Sequence, residues 1–109
     1  MRYRFADCVL DVERFELRRA TAPVAVQPKV LELLIHLLEH RDRAVKKREL
    51  LDALWGDVSV GETSLTRAVS LARAALGERE RDANVIRTVR GRGYRIGVPV
   101  EVETDPAPV

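Results

Sequence analysis

The chain has 109 residues, which is enough for one domain with a hydrophobic core of its own. Hydrophobic residues make up 46% of it and charged residues 33%, a balance that excludes disordered and fibrous classes. No apolar run is long enough to span a membrane, no signal-peptide pattern follows Met1, and the single cysteine, Cys8, excludes an internal disulfide. These features predict a cytoplasmic globular protein.

Positive charge is concentrated in one part of the chain. The formal net charge is only +2, but residues 63–98 contain 8 arginines and 3 acidic residues. Arginine supplies 16 of the 19 basic residues. Arginine suits bidentate recognition of phosphates and base edges, although a GC-rich genome produces the same bias. The local asymmetry is therefore the better indication of a nucleic-acid partner.

The first 27 residues are predicted to form an antiparallel sheet of three or four strands. Phe15 and Leu17 alternate with charged residues, and residues 3–5 show the same period of two. Residues 8–10 and 24–26 are the other candidate strands.

Pro28 marks the change from strands to helices, because proline is favoured in the first turn of a helix. Apolar residues at helical spacing predict a helix over residues 28–40 and a second over residues 47–55. Gly56 ends the second helix, and residues 56–62 are predicted to be a loop.

A third helix is predicted over residues 63–76, and its polar face is unusual. The positions opposite the apolar stripe, with their flank, are Thr63, Thr66, Arg67, Ser70, Arg73 and Ala74. This face contains no acidic residue, whereas a solvated helix face normally mixes both signs of charge. Such a face fits the major groove of DNA, where Thr66, Arg67 and Ser70 can reach base edges.

Two β-rich runs, residues 85–89 and 94–98, predict a hairpin. The residues that join them, 90–93, contain two glycines that permit positive φ and two arginines, Arg90 and Arg92. Arginines on a thin hairpin can enter a narrow minor groove. The order of sheet, three helices and hairpin predicts an α+β fold, the winged helix-turn-helix, with the hairpin as its wing.

Other polar residues are candidates for phosphate contacts, which fix the register of a protein on DNA without reading its sequence. They are Lys46, Lys47, Arg73 and Thr88. Residues 99–109 have three acidic residues and no apolar period, so they are predicted to be a linker or frayed tail after a domain of residues 1–98.

Catalytic and metal sites find little support in the sequence. His36 and His40 have the i, i+4 spacing that can bind a metal, but no cysteine or acid pair of matching geometry lies nearby in the sequence. They are predicted to be solvated or half-buried, with no metal and no cofactor. No nucleophile–base pair or phosphate loop is recognisable either, so the chain is not expected to be an enzyme.

Several stretches carry a family resemblance through their order and spacing. They are VQPK at residues 26–29, RELL at 48–51, LWG at 54–56, SLTRAVS from Ser64 to Ser70 followed by RAALG at 73–77, and IRTVRGRGYR at 86–95. Together they resemble the OmpR/PhoB-type winged-helix DNA-binding domains of bacterial transcription regulators. The resemblance covers about residues 3–98, and the third helix is most similar to the CadC and ToxR subgroup.

The resemblance implies sequence-specific binding of double-stranded DNA, with the third helix in the major groove and the wing in the minor groove. It also implies two copies bound head to tail on a direct repeat, and a contact of the 56–62 loop with RNA polymerase. The alternative is a winged-helix module that keeps the fold but docks a protein without specific DNA binding.

Overall fold

Two antiparallel sheets and three helices make up the computed structural model, which describes residues 1–78 and 84–104. The elements are β1 (Arg2–Phe5), β2 (Cys8–Asp11), β3 (Glu16–Arg19), β4 (Ala22–Val24), α1 (Pro28–Glu39), β5 (Val45–Lys46), α2 (Lys47–Trp55), α3 (Glu62–Ala75), β6 (Ile86–Val89), β7 (Gly93–Ile96) and β8 (Glu101–Glu103). The charged connection predicted between residues 78 and 84 lies largely outside the described residues, as do residues 105–109 of the predicted tail.

The predicted N-terminal sheet is confirmed, with strand order β4-β3-β2-β1-β8. Alternate residues point to one side of it, so Tyr3, Phe5, Leu10 and Leu17 are buried in the core. Phe15 was predicted to lie in a strand, and this is wrong. Its backbone has φ of 53° in the turn before β3, and its side chain is 42% exposed.

Part of the predicted tail is a strand. Residues Glu101–Glu103 form β8, which pairs with β1 in a register that places Glu103 opposite Arg2 and Glu101 opposite Arg4. Arg4 Nη2 lies 3.1 Å from Glu103 Oε1. Opposite charges on adjacent strands stabilise such an edge, although the short run has too little apolar periodicity to be recognised in isolation.

The three helices are confirmed to within one residue at each end, and their apolar faces fill the core. Tyr94 is buried and Trp55 is half-buried against the core, as predicted for core residues. Among the described residues, no helix combines the length and apolarity needed to cross a bilayer.

The second sheet has the order β5-β7-β6, and its first strand was not predicted. Val45 pairs with Tyr94 and Lys46 with Gly93, so a two-residue strand joins the start of α2 to the wing, which is the hairpin of β6 and β7. This pairing places the wing beside the N-terminus of α2.

Cys8 is expected to resist alkylation until the domain unfolds. Its side chain is buried, and burial, together with the hydrogen bond that its thiol donates to Asp7, raises its pKa to about 12. Because the thiolate is the reactive form, we expect iodoacetamide to modify the native protein at least about a hundredfold more slowly than the unfolded chain. Mass spectrometry at pH 8, with and without urea, measures the ratio, and equal rates would contradict this burial.

Candidate nucleic-acid interface

The polar face predicted for α3 is exposed at every position except Arg73. Its exposed side chains are Thr63, Thr66, Arg67, Ser70 and Ala74, while Ser64 is half-buried. The opposite face is buried through Leu65, Ala68, Val69 and Ala72. We define the five exposed residues as the polar face of α3.

The helix begins one residue earlier than predicted, and the extra residue is acidic. Glu62 is the first residue of α3, where a carboxylate interacts favourably with the positive end of the helix dipole. Its Oε2 lies 4.0 Å from Lys47 Nζ. The polar face of α3 is therefore free of acid from Thr63 onward, but Glu62 places a carboxylate at its N-terminal edge. The predicted helix start at residue 63 left Glu62 outside the helix.

Arg73 does not lie on the surface, which corrects its prediction as a phosphate contact. Its side chain is 7% exposed, and its guanidinium points from α3 to β6. Nη2 donates to the Ile86 carbonyl oxygen at 3.0 Å and to Thr88 Oγ1 at 2.9 Å, and Nε donates to the same carbonyl at 3.3 Å. Helical spacing placed Arg73 on the flank of α3, but spacing alone does not show that β6 covers that flank.

The tip of the wing carries Arg90 and Arg92, and both are exposed. Between them Gly91 has φ of 75°, a conformation that favours glycine, and Arg92 N–H donates to the Val89 carbonyl oxygen at 2.9 Å. Thr88, another predicted contact, is exposed on β6 while its hydroxyl accepts the bond from Arg73.

A basic cleft of about 690 Å³ lies between the start of α2 and the wing tip. Its charged lining residues are Arg43, Lys46, Lys47, Arg48 and Arg92, and none of the described residues that line it is acidic. Among the described residues no side chain caps the start of α2, which adds the positive end of a helix dipole. The sequence prediction included Lys46 and Lys47 but missed Arg43 and Arg48, although 46–48 is a visible run of three cations.

One carboxylate near this cleft is already engaged. Glu49 accepts hydrogen bonds from Arg43 Nη1 and Nη2 at 3.0 and 2.9 Å, and its Oε2 lies 2.9 Å from His36 Nε2. The hydrogen bonds from Arg43, and then that from His36, lower the pKa of Glu49 to about 2. His36, His40 and Glu49 each offer one ligand atom within 4.8 Å of the others, a grouping that sequence spacing did not predict.

Another cleft, of about 730 Å³, lies along the N-terminal sheet. Its lining mixes arginines with acidic residues, and some of these pair directly, such as Arg18 Nε with Glu16 Oε1 at 2.8 Å. Carboxylates in the lining itself make this cleft less suited to a polyanion than the basic cleft, whose acidic neighbours lie outside its lining among the described residues.

Comparison with known proteins identifies the family. The model for "Transcriptional regulatory protein, C terminal" matches residues 21–96. The chain belongs to this OmpR/PhoB-type family of DNA-binding domains. Transcriptional regulator HilA of Salmonella typhi is 38% identical over 107 residues, covering 98% of this chain and 19% of HilA. The chain thus spans about a fifth of that regulator's length.

Solved structures agree with this membership. The DNA-binding domain of CadC from E. coli superimposes with a TM-score of 0.79 at 25% identity, covering 92% of this chain and 94% of that one. The RstA DNA-binding domain of Klebsiella pneumoniae, solved in complex with the RstA box, has a TM-score of 0.78 at 23% identity, with coverages of 88% and 96%. The fold is therefore the winged helix of this family.

Proposed function

We propose that this domain binds double-stranded DNA sequence-specifically, with α3 in the major groove and the wing in the adjacent minor groove. The observation that carries the proposal is that, in the described part of the chain, the exposed arginines of these two elements have no acidic partners. Within residues 1–78 and 84–104, no carboxylate lies within ion-pairing distance of Arg67, Arg90 or Arg92. Exposed guanidinium groups without acidic partners are available for phosphates and base edges.

Each part of the surface has its own role in this proposal. Arg67 can donate two hydrogen bonds to a guanine edge, while Thr63, Thr66 and Ser70 offer hydroxyls to bases or phosphates. The basic cleft and Thr88 hold phosphates and fix the register. Arg73 acts indirectly, because it joins α3 to β6 and thereby sets the position of the wing relative to the recognition helix.

Pairing of two copies and a contact with RNA polymerase belong to the same proposal. One copy offers few base contacts, so two copies on a direct repeat would gain affinity through effective concentration. The loop between α2 and α3 presents Val58 with 64% of its surface exposed, an apolar group suited to a protein partner.

Selection of binding sites from a random duplex pool, followed by sequencing, tests the function. We expect an enriched motif of two half-sites about one helical turn, roughly 10 base pairs, apart. Enrichment without any motif would contradict specific recognition. Absence of binding at low salt would contradict DNA binding altogether and favour the protein-interaction module.

Arg67→Ala is expected to weaken binding to the selected site by about 10- to 100-fold and to relax the preference at one base position, since a bidentate arginine–guanine pair contributes about 1–3 kcal/mol. Fluorescence anisotropy and a repeated selection measure the two effects. Arg14→Ala is the matched control, because it removes one exposed arginine from the turn between β2 and β3. Equal effects of the two substitutions would mean that Arg67 contributes only net charge.

A further inference from the structure

The two histidines of the chain form a structured pair on α1. His36 and His40 lie one turn apart, and their rings stack with centroids 4.4 Å apart and an interplanar angle of 28°. Both side chains are only partly exposed. This i, i+4 spacing brings two imidazoles to the same side of a helix, where they can bind one metal ion.

Hydrogen bonding fixes the tautomer of His40 in a form that can bind metal. His40 Nδ1 lies 2.9 Å from the backbone carbonyl oxygen of His36. A carbonyl oxygen only accepts hydrogen bonds, so Nδ1 carries the proton and Nε2 of the neutral ring keeps its lone pair. Metal-binding histidines in proteins are commonly oriented by this kind of bond from the other ring nitrogen.

A third ligand comes from α2. Glu49 places Oε2 at 2.9 Å from His36 Nε2, and one ligand atom from each of the three residues lies within 4.8 Å of the others. A metal ion would replace the proton between His36 and Glu49. Arg43 Nη1 donates to the other carboxylate oxygen, Oε1, at 3.0 Å, and Nη2 donates to Oε2 at 2.9 Å. An ion bound at Oε2 would replace the bond from Nη2, while the bond from Nη1 to Oε1 can continue to orient the carboxylate.

We propose that His36, His40 and Glu49 form a site for a borderline divalent transition-metal ion, represented by Zn²⁺, that joins α1 to α2. Two imidazole nitrogens and one carboxylate oxygen are a zinc donor set, with the fourth tetrahedral position left for water. Calcium and magnesium prefer all-oxygen ligands and do not suit it. The guanidinium of Arg43 opposes a second cation, so we expect micromolar affinity.

Isothermal titration of the tag-free, chelator-treated protein with zinc chloride tests the site. We expect one equivalent of Zn²⁺ to bind at pH 7, and His40→Gln and Glu49→Gln each to weaken binding at least about tenfold. Glu32→Gln is the control, because Glu32 is an exposed carboxylate of α1 outside the cluster. It is expected to leave the affinity unchanged.

The double variant His36→Gln/His40→Gln removes every histidine of the chain. A ligand that binds only the folded state raises Tm, so Zn²⁺ is expected to raise the Tm of the wild type and not that of the double variant. Circular dichroism verifies that the variants fold. Equal zinc affinity in the wild type and the double variant, or no binding at millimolar Zn²⁺, would overturn the proposal. The test uses no DNA and is independent of the proposed function.

Discussion

Gly93→Ala is expected to lower the free energy of unfolding by about 3 kcal/mol or more, because the backbone at this position is both strained for other residues and closely packed. Gly93 has φ of 155°, which L side chains rarely adopt, and a Cβ atom here would collide with the Val45 carbonyl oxygen. That carbonyl belongs to β5, which pairs with β7 and cannot move without releasing the wing from the start of α2.

Gly91→Ala is the matched control, since Gly91 has φ of 75° but no atom of the described residues lies within contact distance of an added Cβ. Gly91→Ala is therefore expected to lower the free energy of unfolding only by the cost of the left-handed conformation, about 1–2 kcal/mol. Urea denaturation followed by circular dichroism gives both values. If the two variants are equally destabilised, the close approach of β5 to Gly93 is not what the position requires.

The loss of stability at Gly93 also has a consequence for the basic cleft. Lys46 pairs with Gly93 in the sheet, and Arg92 directly precedes Gly93 at the wing tip. Both Lys46 and Arg92 line the basic cleft. A variant that separates β5 from β7 therefore moves the two sides of the cleft apart. Where Gly93→Ala remains folded, we expect weaker DNA binding than for Gly91→Ala.

Local sequence patterns predicted most of the fold because they reflect interactions between residues that are close together in the chain. The apolar period of α3 shows which side chains face the core, and the glycines of residues 90–93 mark a turn between two strands. Both features are complete within a few residues of sequence. The exposed positions of Arg67 and Ser70, and those of the wing arginines, followed from these patterns and are found in the structure.

Features that depend on distant partners were missed. Strand β5 has two residues and is recognisable only through its pairing with β7, and β8 is stabilised by arginines almost a hundred positions away. Glu49 is thirteen residues from His36, so sequence spacing could not group it with the histidines. In each case, the deciding interaction appears only after the chain has folded.

Sequence spacing misplaced Arg73 for the same reason, because its partners on β6 are distant in the chain. Its substitution distinguishes a buried connecting residue from a phosphate contact. Arg73→Ala is expected to lower the free energy of unfolding by about 2–4 kcal/mol, because it removes charge-assisted hydrogen bonds and leaves the Ile86 carbonyl oxygen buried without its donor. Its position in the last turn of α3, at the negative end of the helix dipole, adds to the loss. Arg67→Ala, on the exposed face of the same helix, is expected to change stability by less than about 0.5 kcal/mol.

DNA binding distinguishes a buried connecting residue from a phosphate contact. A phosphate contact would contribute about one unit to the slope of log K against log salt, and its loss would weaken binding to all sequences alike. Because Arg73 instead holds Thr88 and β6 against α3, we expect Arg73→Ala to leave the salt slope unchanged below its Tm. Specific binding falls through displacement of the wing. Anisotropy titrations at several salt concentrations, paired with urea denaturation, measure both quantities. Unchanged stability together with a slope lower by about one would restore Arg73 to the DNA-contacting surface.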